Sequence, residues 1–183
     1  MSSTAGKVVT YNGEVIDAFF HSNSGGKTEE VSNVWGGSDL PYLQSVETSG
    51  EDAYSQYQSE ATFTKEEFEK MIANNEFYEY NVHHEHYYGT SRKLMNEKIK
   101  SDRVKTIKIG NLELSGVEVR SLLALRSANF TTQISGNEIK FTVKGYGHGV
   151  GMSQTGADSM AKQGSNYEEI IKHYYTGVEI TNL

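Results

Sequence analysis

The run Lys144-Gly145-Tyr146-Gly147-His148-Gly149-Val150-Gly151-Met152-Ser153-Gln154-Thr155-Gly156-Ala157 sets glycine at every second position from Gly145 to Gly151. Read as an extended strand, it has one face bare of side chains and places Tyr146, His148, Val150 and Met152 together on the other. Glycine weakens a strand interior, so a series of them marks a place where a second backbone or a ligand comes close. Ser153 or Thr155 then caps a helix running to about Gln163, with Gly164 as its stop. A bare strand entering a helix N-terminus offers backbone N–H groups beside an imidazole, which is a binding surface. Tight packing or a loop accounts for the glycines equally well, and the spacing is neither GxGxxG nor a P-loop.

Outward from this run, residues 129–134, a Gly136-Asn137 turn and residues 138–144 predict the hairpin that delivers the chain into the glycines. Val8-Val9-Thr10-Tyr11, Asn12-Gly13 and residues 14–20 predict a second hairpin at the start. Residues 104–110 alternate apolar and polar side chains and return through 111–115 into a short buried helix over 116–125. Thr64-Lys65-Glu66-Glu67 is a capping box opening an amphipathic helix over 64–75, and Asn166 with Glu169 caps another over 167–175. Residues 47–62 read as polar and irregular. The expected fold is α+β, mostly antiparallel sheet and hairpins with short helices, the last two at the C-terminus. A length of 183 residues fits a single domain over 1–183.

Composition narrows the function. The net charge is −7 and the 17 basic residues form no long run, which argues against nucleic acid as a partner. Absence of cysteine removes disulfides, thiolate nucleophiles and cysteine-ligated metals, and suits an exported bacterial protein. Twelve tyrosines, seven phenylalanines and one tryptophan supply rings suited to carbohydrate or other amphipathic surfaces. Met1-Ser2-Ser3-Thr4-Ala5-Gly6 does not read as a signal peptide, and no apolar run reaches the roughly 18 residues of a membrane span.

Three local features compete with the glycine run. His21-Ser22-Asn23-Ser24-Gly25-Gly26-Lys27-Thr28 is dense in donors and acceptors, and on composition reads as an ordinary polar turn. Trp35, beside Gly36-Gly37, reads as a core anchor before a sugar platform. His83, His84 and His86 are the only concentration of histidines; they read as a solvated loop or edge strand, with a divalent-metal site as the alternative.

Taken together, three blocks resemble one family, the stage II sporulation protein D and amidase-enhancer proteins of bacterial cell walls. The first is Ala18-Phe19-Phe20-His21-Ser22-Asn23-Ser24-Gly25-Gly26-Lys27-Thr28-Glu29 with Val34-Trp35-Gly36-Gly37 and Pro41-Tyr42-Leu43-Gln44-Ser45-Val46. The second is Gly116-Val117-Glu118-Val119-Arg120 with Leu125-Arg126-Ser127-Ala128-Asn129-Phe130. The third is the glycine run through Ala157, then His173-Tyr174-Tyr175-Thr176-Gly177. The likeness covers nearly the whole chain and corresponds to the C-terminal two-thirds of a family member.

The resemblance implies a peptidoglycan substrate and, in the best-known members, lytic transglycosylase activity on glycan strands stripped of stem peptides, beside a cell-wall amidase during forespore engulfment. It also implies an extracytoplasmic, wall- or membrane-associated parent protein. The family's catalytic glutamate lies in a Trp-Pro-x-Glu-Ala-Leu-Lys-Ala-Gln-type segment that does not occur in these 183 residues, so no catalytic residue is assigned. Zinc, carried in some members by a His/Cys region ahead of the first block, is not expected here, and no cofactor or metal ligand is assigned. By motif position, His21, Ser22, Ser24, Trp35, Tyr42, Tyr146, Gly147, His148, Gly149, Ser153 and Gln154 are expected to line a glycan cleft. A non-catalytic wall-binding or amidase-stimulating module is the alternative, and a metal hydrolase built on the three histidines is a third reading. Loss of the family's N-terminal segment would bare apolar surface, so self-association or strand exchange is expected.

Overall fold

The structure is a computed structural model, and it describes residues 4–38, 40–73, 95–109 and 112–182. In chain order the first elements are β1 (Lys7–Tyr11), β2 (Glu14–Val15), β3 (Phe20–His21) and α1 (Val31–Trp35). A single 3-10 turn at Glu51–Ala53 precedes β4 (Gln58–Thr64) and α2 (Lys65–Ala73). Then come β5 (Met95–Lys98), β6 (Val104–Ile109), β7 (Leu112–Ser115), α3 (Gly116–Leu122), β8 (Asn129–Ser135) and β9 (Glu138–Lys144). The chain closes with β10 (Met152–Ser153), α4 (Gln154–Lys162), α5 (Tyr167–Tyr174) and β11 (Glu179–Asn182). This is the α+β fold expected; among the described residues the strands pair antiparallel except for the short parallel contact of β3 with β10, beside which Glu29 and Val150 form an isolated parallel bridge.

Two compact units form, one from Met1–Tyr57 with Tyr146–Leu183 and the other from Gln58–Gly145. In the second, β4, β9 and β8 make one antiparallel sheet and β5, β6 and β7 another. Strand β9 alternates Ile139, Phe141 and Val143 inward against exposed or half-exposed polar residues, as a strand with one buried face must. Phe141 is fully buried, and its ring meets those of Phe63, Phe68 and Phe130 at 5.9, 6.0 and 5.5 Å. Phe68 and Ile72 of α2 and Val119 of α3 complete that core. Both helices open on capping boxes, Thr64 with Glu67 and Ser115 with Glu118.

The first unit carries its own core, in which Leu43, Val150, Tyr174 and Tyr175 are buried. Its sheet runs β11-β1-β2, with Val9 opposite Ile180 and the Asn12-Gly13 turn joining β1 to β2. The last two helices lie towards the C-terminus as expected, and a strand not expected, β11, follows them and pairs with β1. The reading of residues 47–62 as irregular holds up to Tyr57 apart from the single 3-10 turn, and is corrected from Gln58, where β4 pairs with β9 along its whole length. Helix α3 stops at Leu122, short of the expected 125, where Ala124 takes a φ of 50° and Leu125 N–H bonds the Arg120 carbonyl.

Candidate functional site

The glycine run does not form the extended strand read from its alternation. Gly145, Gly147, Gly149 and Gly151 take φ values of 81°, 116°, 89° and 71°, so the backbone turns at every second residue and only Met152–Ser153 is strand. Tyr146 and His148 consequently stay at the surface while Val150 is fully buried, and the four side chains do not share a face. Two of these glycines are required by close approach. A Cβ on Gly147 would stand 2.8 Å from the His21 Cβ, and one on Gly151 would stand 2.0 Å from the Phe19 carbonyl oxygen.

That ribbon folds against residues 19–29. Asn23 and Tyr146 exchange backbone hydrogen bonds of 3.0 and 2.8 Å, Phe20 and His21 pair in parallel with Met152 and Ser153, and the Glu29 N–H donates to the Gly149 carbonyl at 2.8 Å. Two stretches more than a hundred residues apart in sequence thus form one surface of the first unit. Glu29 also positions the tryptophan: its Oε1 accepts from the Glu30 N–H and from Asn33 Nδ2, fixing α1 beside the ribbon. Trp35, 51% exposed at the end of α1, stands with its ring 5.0 Å from that of His148 and 5.1 Å from that of Phe19. His148 in turn meets the buried His21 edge-on at 5.6 Å. The result is a row of rings, Phe19, Trp35, His148, His21, running from solvent into the protein.

Behind the row lies a group that sequence reading missed. Glu51 is buried, and each carboxylate oxygen accepts three hydrogen bonds. Oε1 takes the Ser24 N–H at 2.9 Å, Thr155 Oγ1 at 3.2 Å and Ser153 Oγ; Oε2 takes Ser24 Oγ at 2.6 Å, Thr48 Oγ1 at 2.7 Å and the Gly26 N–H at 2.9 Å. Burial opposes ionisation, yet the hydrogen bonds from Ser153, Ser24 and Thr48 outweigh it and hold the carboxyl below its ordinary value. Burial and then the Glu51 charge push the neighbouring Tyr174 phenol above its own ordinary value. The polar turn at 21–28 is therefore a buried anion clasp and not an ordinary solvated loop. The available signal was a density of hydroxyl and amide donors, Ser22 to Ser24, Thr48, Ser153 and Thr155, with no acceptor of matching capacity among them.

Among the residues expected to line a cleft, the structure gathers His21, Trp35, Tyr146, Gly147, His148 and Gly149 around the ring row. Ser24 and Ser153 are fully buried and serve the clasp, Ser153 also capping α4 by accepting the Gly156 N–H. Ser22 lends its carbonyl to the Thr155 N–H. Tyr42 is buried in the core, its ring 5.5 Å from Tyr11 and its hydroxyl accepting from the Asp17 N–H, so it supports the face from below. Gln154 is exposed at the start of α4. His83, His84 and His86 lie outside the described residues. Among the described residues no group of three or more His, Asp or Glu is placed to hold a metal ion.

The first unit thus carries a ribbon of alternating glycines folded over a buried glutamate, with Trp35 and Phe19 partly exposed at its edge. A scan against models of known protein families returns no match. The chain is 37% identical over 183 residues, 99% of its length and 50% of the relative's, to stage II sporulation protein D of Bacillus subtilis strain 168. It is 36% identical over 181 residues to the protein of the same name from Bacillus amyloliquefaciens, covering 99% of this chain and 49% of that one. The amidase enhancer of Bacillus subtilis is 27% identical across 100% of this chain and 32% of its own. The chain belongs to the stage II sporulation protein D and amidase-enhancer family. It spans about half the length of the sporulation relatives it matches, a smaller share than the two-thirds expected from the motifs.

Proposed function

We propose that this chain forms the glycan-binding face of a cell-wall protein of sporulation, and that the whole protein cleaves peptide-free glycan strands as a lytic transglycosylase. The names of the relatives, stage II sporulation protein D and amidase enhancer, support the cell-wall and sporulation role. The observation that carries the binding role is Trp35, half-exposed at the end of a five-residue helix, with His148 against its ring. A pyranose ring offers an apolar face for the indole and polar edges for neighbouring donors, the combination that exposed aromatic rings accept.

Lytic cleavage needs an acid that protonates the glycosidic oxygen and a base that draws the C6 hydroxyl onto C1, and one carboxyl group serves both steps. Glu51 is unsuited to that work. An acid at neutral pH needs a raised pKa and a reachable proton, whereas Glu51 is ionised, buried and fully hydrogen-bonded. The residues of this chain then bind and orient the strand, and the acid comes from the Trp-Pro-x-Glu-type segment that the family resemblance places ahead of the first block. The partners proposed are glycan strands and a wall amidase.

Equilibrium binding of peptide-free glycan strands tests this reading. The chain should bind them, and Trp35→Ala should weaken binding about tenfold, the loss expected for one stacked ring. Binding unchanged in Trp35→Ala, or no binding of glycan at all, contradicts it.

A further inference from the structure

Strand β8, Asn129–Ser135, lies at one edge of the β4-β9-β8 sheet, and among the described residues no strand pairs with its outer side. A bare row of N–H and C=O groups accepts another strand, so sheet edges are normally blunted by charge, proline or a bulge. Every other described strand of four or more residues carries at least one Lys or Glu; β8 carries none. On the opposite edge of the same sheet, β4 holds Glu60, paired with Lys140. Strand β8 has no proline either, and its register with β9 runs unbroken from Asn129 to Ser135.

Which backbone groups point outward follows from the turn. Gly136, with a φ of 57°, and Asn137 close the hairpin as a two-residue loop, so Ser135 and Glu138 form a hydrogen-bonded pair. Pairs alternate from there: Thr131, Gln133 and Ser135 bond β9, and Phe130, Thr132 and Ile134 direct their N–H and C=O groups to the outer edge. We propose that this edge pairs with the β8 edge of a second copy of the chain, antiparallel and centred on Thr132. In that register Thr132 meets Thr132, Phe130 meets Ile134, Thr131 meets Gln133 and Asn129 meets Ser135. Apolar side chains face apolar ones, polar face polar, and no like charges are opposed. The residues with outward-directed groups are also the ones this register sets opposite one another, giving about six backbone hydrogen bonds across the dyad. Thr132 and Ile134, half-buried at the margin of the second unit's core, gain cover. A seven-residue edge is small beside a standard interface, so the dimer is weak and forms at high protein concentration.

Amide exchange followed by NMR at rising protein concentration, beside sedimentation equilibrium, tests the proposal. In dilute solution the Phe130, Thr132 and Ile134 N–H groups should exchange readily while those of Thr131 and Gln133 are protected by β9. Protection of the first three should then rise with concentration, in step with a monomer–dimer equilibrium. Thr131 and Gln133 are exposed, so substituting them leaves the core intact. Thr131→Lys with Gln133→Lys opposes like charges twice across the dyad and should weaken the dimer about tenfold or more, although it moves the net charge of −7 towards zero. Thr131→Lys with Gln133→Glu sets opposite charges face to face and should restore it. Three amides already fully protected in the monomer, a dimer indifferent to both double variants, or a chain that stays monomeric up to millimolar concentration overturns the proposal.

Discussion

Glu51 shows most clearly how a single side chain organises this surface. A buried carboxylate without a cation is tolerated only when its lone pairs are filled, and six donors from three separate stretches fill them. Glu51→Gln keeps the shape but sets an NH2 group against N–H and hydroxyl donors, and should destabilise the protein by about 3 kcal/mol in urea unfolding. Its pH dependence has a definite sign. The folded carboxyl titrates below the ordinary glutamate value of 4.5, so the unfolded chain takes up the proton first as acid is added. The stabilisation is complete above 4.5 and is lost as pH falls through the lower folded value, and the Gln variant should lack this acid-sensitive component. Equal stability of the two proteins at neutral pH would contradict the clasp. Nothing in the sequence around Glu51 announces this role, because five of its six donors come from residues 24–26 and 153–155, the sixth from Thr48, and they meet only in the folded chain; the acidic neighbours Asp52 and Glu47 read the same way.

Among the elements, those set by local chemistry were legible and those set by distant pairing were not. The β8–β9 hairpin follows from its turn and its alternation, and α5 from the reciprocal bonds of Asn166 and Glu169. Strand β4 offers only Ala61 and Phe63 as inward apolar residues and is made a strand by β9, while β11 is made one by β1. The ribbon was found by its glycines but given the wrong conformation, since strict alternation fits an extended strand as well as a chain that turns at every second residue. Gly151 is the sensitive point of that element. With a φ of 71° and the Phe19 carbonyl 2.0 Å from where a Cβ would stand, Gly151→Ala should cost about 2 kcal/mol or more and separate β3 from β10. Amide exchange reads this directly: the Met152 N–H, bonded to the Phe19 carbonyl at 3.0 Å, should lose protection first. Unchanged protection there would show that the close approach is not required.

At the scale of the molecule, every residue of the ring row and of the clasp belongs to the unit made from the two ends of the chain, and the unit between them, 58–145, carries a separate core. The family resemblance pointed to the residues that form this face, but it could not tell the exposed members from their supports, because Ser24, Tyr42 and Ser153 sit in the same motifs as Trp35 and His148 while facing inward. Among the described residues no helix is long and apolar enough to cross a membrane. The wall contact proposed above rests on the ring row of the first unit. Backbone and side-chain NMR during titration with peptide-free glycan strands tests that claim most directly. Saturating shifts should gather on Phe19, the Trp35 indole, Tyr146 and His148 and leave residues 58–145 unmoved; shifts confined to 58–145, or none at saturating glycan, would contradict it.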